Sequence, residues 1–422
     1  MYERNAWSCR RQLFIRGTME YIQGGVCAAK GYKANGIHCG IRKNKSKHDL
    51  ALIISDTIAS VACVYTKNLV KGAPLTVTKN NIADGLAQAV ICNSGNANTC
   101  NADGIEIANK MCTLVETYTG VSARNVVVAS TGVIGQPLPI EPIANGMSEL
   151  VKGLDYNKSE LANLAIMTTD TVQKSVAVEF TLGGKTCRMG GIAKGSGMIH
   201  PNMATMLCFI TTDASISPDM IKKALSEDVD NSFNMMSVDG DTSTNDMVML
   251  MANGVAGNSQ IVDDGEDYQI FKDALSAVTQ QLVRLIAKDG EGATKLLTCK
   301  VVGAKDKTTA KIVAKSVITS SLLKAAMFGA DANWGRVLCA IGYSGADLEV
   351  DKIDVDFSST KGVLPVCRNG SGIDFSEDMA KTILLEDEID ILINLNDGDE
   401  KSQAWGCDLT YDYVKINGDY RT

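Results

Sequence analysis

Apolar and polar positions recur along the chain with two alternating periods. Runs rich in β-branched residues, with a period of about two residues, predict strands. We expect these strands over residues 49–56, 58–65, 87–92, 125–129, 176–180, 186–189, 205–211, 246–251, 295–302, 353–357 and 389–395. Apolar positions three or four residues apart predict helices. We expect these helices over residues 103–119, 142–154, 158–167, 220–232, 268–288 and 308–327.

The interleaving of strands with helices predicts the α/β class, with a layered (α+β layered) arrangement. A last segment, 412–416, closes the ordered tail. The chain contains no Pro-rich or Ser-rich linker, no internal repeat and no low-complexity tract. We therefore expect two intimate domains, 19–230 and 231–422, with a boundary that follows the strand 205–211 and the next helix.

Residues 1–18 differ from the rest of the chain. They contain four arginines and no sustained apolar stretch, so a secretory signal is not indicated. We expect a disordered extension, and Met19 is an alternative start.

Composition limits the classes of function. The net charge of −8 and the pI of about 5.1 argue against a nucleic-acid partner, because phosphate binding requires a basic surface. Charge or glycine interrupts every longer apolar run, so no membrane span is expected. Thirteen cysteines without a Cys-x-x-Cys pair are typical of reduced thiols, and we expect a cytoplasmic protein. Three histidines leave few metal ligands, so no metal is expected, and His200 is expected to be a solvated loop side chain.

The segment 194–207 places glycines and a proline directly before a β-rich run that begins at Thr205. Glycine and proline allow the unusual backbone angles of a strained turn. A threonine hydroxyl is a weak nucleophile, and its own free α-amino group can activate it as a base. That amine becomes free only if the bond between Ala204 and Thr205 is cut. We therefore predict self-cleavage at this bond, with Thr205 as the nucleophile.

Several separated blocks then carry a resemblance. They are Ser-Thr-Gly-Val-Ile-Gly at 130–135, Met-Thr-Thr-Asp at 167–170, the segment 190–207, Asp-Gly-Glu-Gly-Ala-Thr-Lys at 289–295, Ala-Asn-Trp-Gly-Arg at 332–336, Ala-Trp-Gly-Cys-Asp-Leu-Thr at 404–410 and Tyr-Arg-Thr at 420–422. Over residues 19–422 the chain resembles the ornithine acetyltransferase family, also called glutamate N-acetyltransferases, of arginine biosynthesis. The resemblance implies stacked sheets with flanking helices of the N-terminal-nucleophile type. It also implies two associated chains, 1–204 and 205–422, in an α2β2 heterotetramer.

The resemblance further implies the reaction and its residues. The acetyl group of N-acetylornithine would move to Thr205 and then to glutamate, in a ping-pong exchange without a coenzyme. Acetyl-CoA stays open as a second acetyl donor. The Thr131 hydroxyl and the Gly132 N–H would form the oxyanion hole. The implied substrate-binding residues are Thr168, Lys194, Thr205, Glu291, Asn417 and Thr422.

Two other functions stay open at this level. An N-terminal-nucleophile amidase or aminopeptidase would use the same nucleophile, with water in place of glutamate. A non-enzymatic nucleotide-binding protein would use the glycine fragments 195–197 and 290–292, although neither is a complete phosphate loop. The run 241–246, rich in acids and hydroxyls, predicts a turn or a strand start, because it lacks the further ligands of a calcium site.

Overall fold

The computed structural model describes residues 19–200 and 206–418 of the 422-residue chain. The strands in these residues are β1 (Glu20–Ile22), β2 (Tyr32–Ile37), β3 (Leu50–Tyr65), β4 (Leu86–Asn96), β5 (Val126–Val133), β6 (Lys174–Leu182), β7 (Lys185–Lys194), β8 (Leu207–Thr212), β9 (Met236–Ser237), β10 (Met247–Ala252), β11 (Leu296–Ala304), β12 (Asp354–Ser359), β13 (Gly362–Arg368), β14 (Ser371–Gly372), β15 (Glu388–Asn394) and β16 (Glu400–Cys407). The helices are α1 (Ala73–Asn81), α2 (Gly104–Thr119), α3 (Ile140–Lys152), α4 (Ser159–Ile166), α5 (Pro218–Val229), α6 (Glu266–Lys288), α7 (Lys307–Thr319), α8 (Ser321–Phe328), α9 (Trp334–Gly342), α10 (Glu377–Leu384) and α11 (Tyr411–Gly418).

The first sheet has nine strands, in the order β1-β6-β7-β8-β10-β3-β4-β5, with β2 paired to β3. β8 runs parallel to β10, and β4 runs parallel to β5. β7 and β10 flank β8 on its two sides, and all residues of β8 are buried. The chain that follows residue 205 therefore enters the interior of the sheet almost at once.

The first sheet folds over on itself at β3. This 16-residue strand exposes residues 56–58 at its middle, where its pairing with β4 shifts register between Ile54 and Ala59. The half before the bend pairs with β2, and the half after it pairs with β10. One apolar core contains Ile53 from the first half and Val61 from the second, together with residues of β8 and β10. The two halves of the folded sheet therefore pack against each other.

The second sheet has seven strands, in the order β14-β13-β12-β15-β11-β16-β9. Helix α6 packs on β6 and β7 of the first sheet and on β11 and β16 of the second. Its apolar residues, including Phe271, Leu275 and Leu282, are fully buried in a core shared by both sheets. Sheets and helices thus form layers, which confirms the predicted layered α/β architecture.

Most predicted elements are confirmed within a few residues, but two predictions are wrong in detail. Residues 49–56 and 58–65 form one bent strand, β3, and not two strands. Residues 308–327 form two helices, α7 and α8, which meet at Ser320. Ser320 has an extended backbone, and its Oγ accepts a hydrogen bond of 3.3 Å from the Leu323 N–H. Because serine can cap a helix in this way, it ends one helix and begins the next.

The remaining predictions on organisation have mixed outcomes. The tail segment 412–416 lies in α11, and the extension 1–18 lies outside the described residues. The domain division at residue 230 stays a prediction: beyond it, β9 joins the second sheet and β10 joins the first. No helix in the described part of the chain is long and apolar enough to cross a membrane.

Candidate active site

The bend in β3 brings together the C-terminal ends of β5 and β7, although β8, β10, β3 and β4 separate them in the sheet order. A straight strand as long as β3 would hold its ends about 50 Å apart. Instead, Lys194 Nζ at the end of β7 donates a hydrogen bond of 3.2 Å to Thr131 Oγ1 in β5. Lys194 also pairs with Leu207, the first residue of β8. Two predicted site residues therefore meet beside the strand that begins just after Thr205.

Gly132 in β5 lies opposite Gly95 in β4. Its φ of +134° is an angle that residues with side chains rarely adopt. A Cβ at this position would lie 2.3 Å from the carbonyl carbon of Gly95. Backbone angle and space therefore both require glycine here, and its role at an oxyanion stays a prediction.

Asn245 ties this strand end to the start of β10. Its Nδ2 donates hydrogen bonds to the carbonyls of Ala97 at 2.6 Å and Ser130 at 3.0 Å. Its Oδ1 accepts hydrogen bonds from the hydroxyls of Thr99 and Thr244, both at 2.6 Å. All hydrogen-bonding positions of the amide are used. The Asn245 amide therefore fixes the Ser130 carbonyl, which directly precedes Thr131.

Lys194 is buried, and nearby carboxylates balance its charge. Burial lowers the pKa of Lys194, and the negative charges of Asp170 and Asp246 oppose that shift. Burial alone raises the pKa of Asp170. The Lys174 and Lys194 ammonium groups, with hydrogen bonds from Lys174 and the Gly195 N–H, outweigh burial and lower the pKa of Asp170 to about 2. Asp170 is therefore a buried carboxylate that favours the charged form of the lysine beside it.

The same carboxylate organises two segments of the site. Asp170 Oδ1 accepts hydrogen bonds from the Gly195 N–H at 2.7 Å and from Lys174 Nζ at 2.6 Å. Asp170 Oδ2 accepts one from the Thr168 N–H at 3.0 Å. The fully buried Lys174 also contacts Asp289 Oδ2 at 2.6 Å. The predicted substrate residues at 168 and 194 are thus linked through one buried ion network, Asp170–Lys174–Asp289.

Glu291 is buried against the glycine loop that follows Lys194. Its N–H donates a hydrogen bond of 3.0 Å to the Ser196 carbonyl. A Cβ at Gly197 would lie 2.3 Å from the Glu291 carboxyl carbon, so only glycine leaves room for that carboxyl group. Asn417 Nδ2 in α11 donates a hydrogen bond of 2.8 Å to Glu291 Oε2. The structure therefore brings Glu291 and Asn417 together, one loop away from Lys194.

His200 was predicted to be a solvated loop side chain, and the structure shows it half-buried. Its Nδ1 lies 3.1 Å from Ser237 Oγ, and its carbonyl accepts a hydrogen bond of 2.8 Å from the Thr242 hydroxyl. Burial and the positive charge of Lys315 lower the pKa of His200 to about 4. The ring is therefore part of a packed contact and is neutral at ordinary pH.

Three predicted residues, Ala204, Thr205 and Thr422, lie outside the described residues, so their roles stay predictions. Met206, which follows Thr205 in sequence, is buried, and its carbonyl accepts a hydrogen bond of 2.9 Å from the Met247 N–H. Within residues 19–200 and 206–418, no group of three or more His, Cys, Asp or Glu side chains could hold a metal ion.

Sequence reasoning missed the residues that hold the site together. Asp170 and Asp289 lie inside quoted motifs, but those motifs pointed to Thr168 and Glu291 as the functional side chains. Lys174 and Asn245 had no signal of their own, because Asp289, a partner of Lys174, and Ser130, a partner of Asn245, each lie 115 residues away in sequence. A buried lysine between two aspartates is recognised only once the chain is folded.

Known proteins similar to this chain come from several bacteria. The arginine biosynthesis bifunctional protein ArgJ of Caldanaerobacter subterraneus subsp. tengcongensis is 48% identical, over 96% of this chain and 100% of that protein. ArgJ 1 of Clostridium acetobutylicum is 50% identical, over 93% of this chain and 96% of that protein. Among solved structures, ArgJ of Bacillus halodurans has 44% identity and a TM-score of 0.47, covering 50% of this chain and 97% of that chain. Ornithine acetyltransferase of Mycobacterium tuberculosis, complexed with ornithine, has 33% identity and a TM-score of 0.41, covering 44% of this chain and 100% of that chain.

These sequence relatives confirm the expected class, an acetyltransferase enzyme of arginine biosynthesis. The sequence model of the ArgJ family matches residues 33–422, which is most of the chain. The chain belongs to the ArgJ family, and the resemblance indicated by the sequence motifs is confirmed.

Proposed function

We propose that the protein transfers the acetyl group of N2-acetyl-L-ornithine to L-glutamate, giving L-ornithine and N-acetyl-L-glutamate. Membership of the ArgJ family, and relatives named for arginine biosynthesis, support this reaction. The single observation that carries the proposal is the contact between Lys194 and Thr131 beside the start of β8. It joins a cation suited to a substrate carboxylate with a hydroxyl suited to a reacting carbonyl.

Thr205 is the proposed nucleophile, released by self-cleavage. Its Oγ1 attacks the Ala204 carbonyl carbon, the Thr205 nitrogen leaves with the hydroxyl proton, and water hydrolyses the resulting ester. The products are the chains 1–204 and 205–422. The freed amine has an ordinary pKa of about 8, close enough to working pH to take and return a proton during acyl transfer.

Thr131 and Gly132 are proposed to stabilise the oxyanion that forms on the acetyl carbonyl. Because the Lys194 ammonium uses a lone pair of Thr131 Oγ1, the Thr131 O–H is left to donate to that oxyanion. The absence of a side chain at Gly132 allows a reacting group to approach its N–H. A well-placed donor of this kind contributes about 3 to 4 kcal/mol to the transition state.

The amino-acid part of each substrate is proposed to bind between two charged regions. Lys194 and Thr168 suit an α-carboxylate, and the buried Glu291 suits an ammonium group. Asn417 orients the Glu291 carboxylate through its hydrogen bond, and the terminal carboxylate of Thr422 is a further proposed contact. Ornithine and glutamate share the α-amino-acid group, so one site serves both halves of a ping-pong exchange without a coenzyme.

Acetyl-CoA is proposed as a second acetyl donor, because the sequence relatives are named as bifunctional proteins. Release of CoA from acetyl-CoA and glutamate, at a rate comparable to exchange with N-acetylornithine, is the expected result. Exchange without CoA release would leave only the N-acetylornithine reaction. We further propose a cytoplasmic α2β2 heterotetramer, without nucleic-acid or membrane partners.

An acetyl-enzyme experiment tests the proposed reaction. The purified protein is incubated with N-acetylornithine and no acceptor, and its denatured fragments are weighed by mass spectrometry. We expect the fragment that begins at Thr205 to gain one acetyl group and to lose it when glutamate is added. Rapid loss of the acetyl group to water alone would favour the amidase or aminopeptidase function. No acetylated fragment, with nucleotide-dependent thermal stabilisation, would favour the nucleotide-binding function.

A further inference from the structure

One segment, residues 237–247, contacts the chain on both sides of residues 201–205, and we name it the brace. Before residue 201, the Ile199 carbonyl accepts a hydrogen bond of 2.7 Å from the Val238 N–H of the brace. After residue 205, the Met206 carbonyl accepts a hydrogen bond of 2.9 Å from the last N–H of the brace. Described residues on both sides of 201–205 are therefore fixed to the same short segment.

Within the brace, Asp239 binds the turn at residues 198–199. Asp239 Oδ2 accepts a hydrogen bond of 2.6 Å from the Met198 N–H, and Oδ1 accepts one of 2.9 Å from the Ile199 N–H. Oδ1 also accepts a bond of 3.2 Å from the Asp241 N–H within the brace. A carboxylate that spans two successive N–H groups forms strong, charge-assisted hydrogen bonds.

The turn that Asp239 binds has an unfavourable backbone conformation. Met198 has a φ of +56°, in the left-handed region that residues with side chains seldom occupy. Its side chain is 43% exposed, so side-chain packing does not account for this conformation. The two hydrogen bonds to Asp239 hold the turn instead.

We propose that Asp239 is a positioning residue for self-cleavage between Ala204 and Thr205. Its role would be exerted through the turn at 198–199, which sets the direction of the backbone just before the segment that contains the proposed cut. The proposal rests on the proposed function, in which Thr205 Oγ1 bonds to the Ala204 carbonyl carbon and the C–N bond breaks with proton transfer to the leaving nitrogen. That attack requires near-contact of the reacting atoms, so a change in the backbone direction at 198–199 slows ester formation.

Asp239 also connects the turn to the helix that carries Asn417. Burial, the charges of Asp239, Asp241 and Glu291, and a hydrogen bond with Asp239 raise the pKa of Tyr413 in α11. Loss of the Asp239 carboxylate therefore affects α11 as well as the turn. A Tyr413→Phe variant keeps the carboxylate on the turn and removes only the contact with the helix, which separates the two effects.

The test measures self-cleavage in freshly translated full-length protein. The wild type, Asp239→Asn, Asp239→Glu, Tyr413→Phe and Thr205→Ala are compared by intact mass over time. Asp241→Asn is the matched control: it removes the same charge from the same brace, and Asp241 is exposed and accepts no side-chain hydrogen bond among the described residues. Each sample is split, and one half receives hydroxylamine, which cleaves an ester rapidly and leaves an amide intact.

We expect Asp239→Asn to cleave at least about 10-fold more slowly than Asp241→Asn. A rate change of this size corresponds to weakening one hydrogen bond to a charged acceptor. Hydroxylamine should not restore its rate, because the slow step is ester formation. Asp239→Glu, which keeps the acceptor, should regain part of the rate, and Tyr413→Phe should cleave like the wild type. A purely structural defect would not give this pattern.

Other outcomes overturn the positioning role. The role is overturned if Asp239→Asn and Asp241→Asn cleave at equal rates. It is also overturned if Asp239→Asn cleaves slowly but hydroxylamine restores its cleavage rate. If Asp239→Asn does not fold, as judged by circular dichroism, Asp239→Glu is compared with Asp241→Glu, and equal rates overturn the proposal. Cleavage of Thr205→Ala would instead contradict the proposed nucleophile, which makes that failure distinguishable from failure of the Asp239 role.

Discussion

At the scale of single residues, the candidate site depends on charges that are buried in pairs. Lys174 has no exposed surface and lies 2.6 Å from Asp170 Oδ1 and 2.6 Å from Asp289 Oδ2. Taking charges out of water is costly, and breaking a buried pair costs about 3 to 5 kcal/mol, because one charge is then left uncompensated. The paired Asp170 carboxylate accepts hydrogen bonds from the N–H groups of Thr168 and Gly195, which fixes the positions of both segments. The ion network therefore defines the shape of the site.

The free energy of unfolding at low pH tests the charge on Asp170. The folded pKa is about 2, below the ordinary value of 3.8. A lowered pKa stabilises the fold above the ordinary value, and this stability is lost as the pH falls towards 2. The loss is expected to be on the order of 2 kcal/mol.

We expect Asp170→Asn to lack this part of the pH dependence. The free energy of unfolding, measured with urea between about pH 5 and pH 2, should fall more steeply in the parent than in the variant. Both proteins carry Thr205→Ala, so that a single chain unfolds. Parallel curves for the two proteins would contradict the low pKa of Asp170.

A second residue-scale prediction concerns Gly132. Alanine at this position combines a φ of +134° with a Cβ 2.3 Å from a backbone carbon of Gly95. We expect Gly132→Ala to lose at least about 100-fold in kcat, because the strand end that carries the proposed oxyanion donors must move.

Gly135→Ala is the matched control for Gly132→Ala. Gly135 has a φ of +78°, but nothing lies within 4 Å of its missing Cβ. This variant should lose about 1 kcal/mol of stability and keep its kcat. Equal activity of the two variants, measured by acetyl transfer to glutamate, would contradict a special role for Gly132.

The side chains proposed to react or to bind substrate could be predicted from the sequence more readily than the side chains that hold them in place. Thr131, Gly132, Lys194 and Glu291 were predicted from motifs, and the structure brings the first three together where the ends of β5 and β7 meet. Asn245 was not predicted, because three of its four side-chain hydrogen bonds join it to residues 97–130 and leave no local pattern.

At the scale of elements, the bend in β3 decides where the site forms. The sequence predicted two strands, 49–56 and 58–65, whereas the structure has one strand with an exposed bend at residues 56–58. The bend could not be predicted locally, because it follows from pairing with β2 on one half and β10 on the other. The helix pair α7 and α8 was missed for the opposite reason: the apolar spacing continues through Ser320, and only its cap marks the break.

The element-scale prediction concerns the tie between β5 and β10. Asn245→Asp would place a carboxylate oxygen against the Ala97 and Ser130 carbonyls, where an N–H donor now lies. A lost donor among buried acceptors costs about 1 to 3 kcal/mol. We expect kcat to fall at least about 10-fold with little change in KM, because the strand end beside the reacting carbonyl moves.

Asn253→Asp is the control at the other end of β10. Asn253 Nδ2 donates a hydrogen bond of 2.9 Å to the Lys30 carbonyl. This variant carries the same chemical change away from the candidate site, so its stability should fall and its kcat should hold. Equal kcat in both variants would mean that Asn245 does not position the end of β5.

At the scale of the whole molecule, the two proposed chains both contribute strands to the first sheet. Residues 1–204 supply most of its strands, and residues 205–422 supply β8 and β10 between β7 and β3. β8 pairs with β7 over six residues, and β10 pairs with β3 over six residues. Helix α6 of the second proposed chain also packs on β6 and β7 of the first.

The two proposed chains should therefore stay joined after cleavage. Separating them would break two strand ladders and expose buried apolar surface, which salt does not weaken. We expect both fragments to co-elute in size-exclusion chromatography, even in concentrated salt, and to separate only in denaturant. Dissociation under native conditions would contradict the shared sheet.

The overall class was easier to predict than the arrangement of the two sheets. Alternating strand and helix periods indicated layered α/β, and motifs indicated the family. After residue 230 the chain first adds β9 to the second sheet and then β10 to the first. This order could not be predicted, because β9 is a two-residue strand without an apolar pattern.

The central claim is that Thr205 becomes the nucleophile by cutting its own chain, and intact mass tests it most directly. The purified protein is denatured and weighed beside a Thr205→Ala variant. We predict two fragments for the wild type, the second beginning at Thr205, and a single uncut chain for the variant. A single full-length chain in both proteins, with acetyl transfer intact in the wild type, would contradict the proposed mechanism.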